Sequence, residues 1–171
     1  MFMMMSARLL GYTVIFLCPA AAGMVMAKHA EEEARRLEAV ILMIDHIKYE
    51  IGEYMTPQNE LFARFENRAL EACGFLGILK KCRSDGEKSV LSKALEVYGD
   101  LLCEKRCNML LADFSESLGK LSRSAQLERC DSYREKFNSV YAEKSTKLQG
   151  EKKLCRSMGI LCGTAAVLML L

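Results

Sequence analysis

The chain is apolar at both ends and charged in between. Leu9–Ala27 (LLGYTVIFLCPAAAGMVMA) carries no charged side chain, and neither does Ser157–Leu171 (SMGILCGTAAVLMLL). Every acidic residue lies between these segments, as does every basic residue except Arg8. A helix needs ~20 apolar residues to cross a ~30 Å hydrocarbon core, and Leu9–Ala27 meets that length. Pro19 and Gly23 would weaken a soluble helix but are tolerated in a membrane one. The second segment is shorter and reaches about 22 Å at ~1.5 Å per residue. Leu154 and Cys155 extend its apolar surface, and Lys152, Lys153 and Arg156 are placed to snorkel to headgroups. The layout predicts an N-terminal transmembrane anchor over 1–27, a helical bundle over 28–156 and a C-terminal transmembrane anchor over 157–171.

Charge asymmetry orients the anchors. Lys28, Arg35 and Arg36 follow the first segment, which only Arg8 precedes. Lys144, Lys147, Lys152, Lys153 and Arg156 precede the second. By the positive-inside rule both segments put the middle of the chain in the cytoplasm. Lys28, Arg35, Arg36, Lys152, Lys153 and Arg156 are the candidate membrane-surface residues, facing anionic lipid headgroups. A rival reading is a cleavable signal peptide, with Arg8 as its charged start and Leu9–Leu17 as its apolar run. Ala20-Ala21-Ala22 or Val25-Met26-Ala27 would then be the cleavage site. That reading makes the protein a secreted helical binding module. It fits poorly with a second apolar segment.

Composition excludes several classes. Setting Arg8 aside from 24 basic residues leaves 23 against 22 acidic ones, so the middle is nearly neutral and carries no nucleic-acid signature. Eight cysteines occur without a C-x-x-C. Cys103 and Cys107 stand at i, i+4, but His29 and His46 are the only histidines and lie far off, so no metal site is expected. In a reducing cytoplasm the cysteines are expected to be small buried hydrophobes. No phosphate-binding glycine loop or G-x-S-x-G occurs. Neither an enzyme, a cofactor nor a small-molecule substrate is expected.

Periodicity is helical throughout. Leu37, Ile41, Ile44, Ile47, Ile51 and Tyr54 form one apolar stripe, which predicts a helix over 27–54. Thr56-Pro57 predicts the cap and first position of a second helix, to about Cys73, with Leu61, Phe62, Phe65, Ala69 and Ala72 inward. Phe75–Leu79 is a short apolar piece. Ser84-Asp85-Gly86-Glu87 reads as a capping box before Val90, Leu91, Ala94, Leu95 and Tyr98, and Gly99-Asp100 ends that run. A helix over 101–118 is expected to bury Leu102, Met109, Leu110, Phe114 and Leu118, with Gly119 as its left-handed cap. The last helix, capped by Ser122 or Ser124, buries Leu127, Cys130, Phe137, Val140, Tyr141 and Leu148. Gly150 is its weak point before the second apolar segment. The fold class is all-α: an antiparallel bundle of five to six helices flanked by transmembrane helices.

These residues resemble a known family. Gly23-x-x-Met26-Ala27-Lys28, Glu50-Ile51 followed by Thr56-Pro57, Phe114-x-Glu116-x-Leu118-Gly119 with Gln126, and Ser157-x-Gly159-x-Leu161-x-Gly163 are together similar to stage III sporulation protein AB of endospore-forming Firmicutes. Gln58 departs from the leucine the family often carries there, and Ser122 from its aspartate. The resemblance implies a cytoplasmic bundle similar to that of the type II secretion system F protein. It also implies a place in the channel between mother cell and forespore, in the outer forespore (mother-cell) membrane. The partners implied are the other stage III sporulation proteins, including the AA ATPase, and the lipid bilayer. On this reading the chain is a structural platform whose helix corners meet partners, and Glu50, Thr56, Glu116, Gly119 and Gln126 are the candidate contact residues. A membrane adaptor unrelated to sporulation is the other alternative.

Overall fold

A computed structural model describes residues 28–170, with backbone alone for 151–170. The expected N-terminal anchor over 1–27 lies outside the described residues, as do the side chains of the expected C-terminal anchor. Among the described residues the chain is all-helical, without a strand. None of their helices is long and apolar enough to cross a membrane. The chain divides into two compact units, Met1–Glu31 with Ser145–Leu171, and Glu32–Lys144.

Helix α1 covers residues 28–49 and ends in a π-helical turn, Glu50–Tyr54. α2 is Arg68–Ala72, α3 Phe75–Lys81, α4 Val90–Tyr98, α5 Lys105–Ser117 and α6 Arg123–Leu170. Gly150 does not interrupt α6.

Within the unit Glu32–Lys144, α1 is the central element. Leu37, Ala39, Val40, Ile41, Met43, Ile44 and Ile47 are all buried, more of its circumference than a single amphipathic stripe would cover. α6 lies antiparallel to it. Lys144 Nζ pairs with Glu33 at 2.6 Å, Arg134 with Asp45 at 2.8 Å and Lys48 with Asp131 at 2.6 Å, so residue numbers fall along α6 as they rise along α1. Lys144 also reaches Glu104 at 3.3 Å. Burial works against its charge, but the two carboxylates outweigh burial and raise the ammonium pKa. The short helices pack in sequence, α2 on α3, α3 on α4 and α4 on α5. Phe75, Phe114 and Phe137 fill the core they enclose.

Several boundaries differ from expectation for local reasons. Thr56-Pro57 does not open a helix. Residues 57–65 form successive tight turns, in which the Glu60 N–H donates to Pro57 O and the Ala63 N–H to Glu60 O, both at 2.9 Å. Leu61, Phe62 and Phe65 are nevertheless buried, because turns of about three residues also bring such spacings to one side. The true cap is Asn67, whose Oδ1 accepts from the Ala69 and Leu70 N–H groups. Leu70 takes the inward place expected of Ala72, which is exposed.

The capping-box residues are spent inside their own loop. Ser84 Oγ accepts from the Gly86 N–H, and Asp85 Oδ1 accepts from the N–H groups of Glu87 and Lys88. Helix α4 is capped by Ser89, which accepts from the Ser92 N–H and donates to Ser115 O at 2.6 Å. Residues 101–104 are bends clipped by Asn108, whose side chain bonds both N–H and C=O of Leu102. The later start of α5 sets its inward phase on Cys107, Leu111, Phe114 and Leu118 and leaves Met109 exposed. Cys107 and Cys130 are buried as expected, Cys73 and Cys82 half-buried, and Cys103 exposed.

Candidate docking site

The end of α1 and the start of α6 meet at one corner of the bundle. At this end α1 widens into its π turn, after which Met55 takes a left-handed conformation with φ 52°. A non-glycine residue held there costs on the order of 1–3 kcal/mol and persists only where the surroundings fix it. Here they do. The Glu50 carbonyl accepts the N–H groups of both Met55 and Thr56. The Glu50 carboxylate, 7% exposed, accepts the Thr56 hydroxyl at 2.5 Å. Pro57 then forbids further helix by lacking an N–H and clashing with the preceding turn.

Two polar links tie this corner to the turn between α5 and α6. Gln58 Nε2 donates to Leu118 O at 2.6 Å, and Arg123 Nη2 donates to Gly52 O. Gly119 has φ +77°, the left-handed cap expected of it. A Cβ there would stand 1.7 Å from Gln58 Nε2, so any other residue would push that amide off Leu118 O as well as strain the backbone.

Between the two turns lies a cleft of about 310 Å³. Ile51, Met55, Leu61, Leu118 and Leu121 give it apolar walls, and Thr56, Gln58, Gly119, Arg123 and Gln126 its polar lining. Met55 is 68% exposed, Tyr49 and Tyr54 are exposed nearby in sequence, and Leu121 is exposed in the turn before α6. The Tyr49 and Tyr54 rings stand edge to face, 5.5 Å apart. The Tyr54 hydroxyl, then the charges of Glu53 and Glu50, push the Tyr49 hydroxyl pKa up.

Of the candidate contact residues, Thr56, Gly119 and Gln126 share this lining, although they lie far apart in sequence. Glu50 sits behind Thr56 as its acceptor. Glu116 is exposed on α5 and is not part of the lining. Met55, Gln58, Leu121 and Arg123 were not among the candidates. Gln58 was visible only as a polar residue after Thr-Pro, and nothing local marks its reach of sixty residues to Leu118. Among the candidate membrane-surface residues, Lys28 and Arg35 are exposed. Arg36 is half-buried near Tyr98, where burial chiefly raises the phenol pKa and the Arg36 charge opposes it. Lys152, Lys153 and Arg156 have side chains outside the described residues. Among the described residues no cluster of His, Cys, Asp or Glu is placed to hold a metal ion.

The corner thus offers shape and a few fixed polar groups, the chemistry of recognition. The family model described as stage III sporulation protein AB matches residues 8–171. No curated protein and no solved structure matches the chain.

Proposed function

The chain belongs to the stage III sporulation protein AB family, and from that premise we propose that it is a non-enzymatic membrane platform of a sporulation complex. Leu9–Ala27 and Ser157–Leu171 anchor it at both ends, with the bundle on the cytoplasmic face of the outer forespore membrane. The other stage III sporulation proteins are its partners. The AA ATPase docks on the bundle, and energy comes from that ATPase. Tethering is the physical logic: a weak docking site held at a membrane gains effective concentration without any new contact.

The observation that carries the docking part is the corner, where Thr56, Gly119 and Gln126 converge on a cleft rimmed by exposed apolar side chains. Glu50 holds that corner in shape, and exposed Glu116 supplies a separate contact on α5. Topology is the first thing to test, with a membrane-impermeant maleimide on single-cysteine variants. Cys103 is the suitable reporter because it is exposed, whereas Cys107 is buried. The platform requires Cys103 to label only from the cytoplasmic side and Met3→Cys only from the other. Labelling of Cys103 from outside would make the protein a secreted module instead.

A further inference from the structure

The corner cleft holds a side-chain amide that no other described residue engages. Gln126 is 8% exposed and lines the cleft. Its backbone N–H is used, donating to Ser122 O at 2.9 Å. No described residue hydrogen-bonds its side-chain amide, whereas the neighbouring Gln58 amide is committed to Leu118 O. Among the described residues only Arg129 Nε is a buried side-chain polar atom without a partner, so the Gln126 amide still reaches solvent in the cleft and a ligand would take the place of water on it. An amide offers one acceptor and two donors side by side. Its natural complement is another amide, such as a peptide group.

The remaining lining narrows the ligand further. The walls are apolar, and Arg123 is the only charged side chain among them. One of its nitrogens bonds Gly52 O, which fixes the guanidinium at the cleft while its other N–H groups remain able to take a carboxylate. The apolar surface continues past the cleft onto exposed Met55 and Leu121. A compact small molecule would leave that rim uncovered, and about 310 Å³ is at the bottom of the ~300–1,000 Å³ range of small-molecule pockets. A polypeptide covers both cleft and rim.

We propose that this cleft receives a segment of a partner protein that places an apolar side chain between Ile51 and Leu118, pairs a backbone amide with Gln126 and sets an adjacent carboxylate on Arg123. The inference rests on the platform reading for its biological partner but not for its chemistry. Random peptides displayed on phage and selected against the full-length chain in nanodiscs test it without any sporulation protein present. The selected peptides should share Leu, Ile, Met or Phe beside Asp or Glu. Their affinity should fall about tenfold on Gln126→Leu and on Arg123→Gln, and hold on Arg134→Gln, whose charge pairs with Asp45 away from the cleft. Helicity is measured for each variant. Should Gln126→Leu lose helicity, Met55→Asp on the exposed rim replaces it, with the same tenfold loss expected. Selected peptides that lack the apolar–acidic pair, or that bind these variants as they bind the wild type, overturn the proposal. Peptides that behave as expected while the same variants leave the sporulation complex intact would uphold the pocket and refute the corner as the platform's docking point.

Discussion

α1 changes character along its length. From Leu37 to Ile47 it is a shaft, with aliphatic side chains packed into the core and α6 held alongside by ion pairs. From Glu50 onward it is a corner, where the helix widens, a methionine is held left-handed and apolar side chains face outward. The shaft hides apolar surface, which is what stabilises a fold. The corner spends some of that stability to hold polar and apolar groups in fixed positions. Shaft substitutions should therefore change stability, and corner substitutions should change binding.

The largest effect belongs to the shaft. Ile44 is fully buried, and Ile44→Ala should cost about 3 kcal/mol by removing buried methyl groups and leaving a cavity. Thermal unfolding followed by circular dichroism measures it, and a loss below ~1 kcal/mol would mean the shaft is not the stabilising element.

The shaft also predicts a pH dependence. Burial on α6 pushes the Cys130 thiol up to about 11, from an ordinary value of 9.0. A thiol whose folded pKa is raised favours its neutral form in the fold, so its contribution is complete below pH 9 and is lost as pH rises towards 11. The loss should be on the order of 2 kcal/mol. Cys130→Ala should flatten that limb of the stability profile, and an unchanged profile would place the alkaline sensitivity elsewhere.

Gly119→Ala joins the two regions. Its Cβ must displace Gln58, and its backbone is left-handed, so ~1–2 kcal/mol should be lost together with the link to Leu118. Partner binding should fall with it. The smallest effect on stability is expected at Met55→Gly. Relief of the left-handed strain offsets the greater entropy of the unfolded chain, leaving a change within about 0.5 kcal/mol. Binding should still weaken, because the exposed thioether is gone. A stability loss near that of Ile44→Ala would erase the distinction between shaft and corner.

The shaft was legible in the sequence and the corner only partly so. Leu37, Ile41, Ile44 and Ile47 repeat at helical spacing, and periodicity alone places them inward. The positive φ of Gly119 was legible too, since glycine after an apolar run marks a left-handed end. Short segments were ambiguous. Leu61, Phe62 and Phe65 reach the core through tight turns where a helix was expected, because a run that short fits either period. The Ser84 box fits its pattern but closes on its own loop, and Ser89, with Ser92 where a glutamate would complete a box, caps α4 unannounced. Thr56, Gly119 and Gln126 could be proposed singly. Their convergence depends on the antiparallel pairing of α1 with α6, a tertiary fact that no local pattern encodes.

The central claim is that the corner, and not the shaft, carries docking. Its most direct test is recovery of the AA ATPase and the other stage III sporulation proteins on tagged full-length chain from sporulating cells, comparing wild type with the Met55→Asp, Gln126→Leu double variant. The account predicts unchanged helicity and membrane content with at least a tenfold loss of recovered partners. Equal recovery from a folded, membrane-inserted double variant would contradict it.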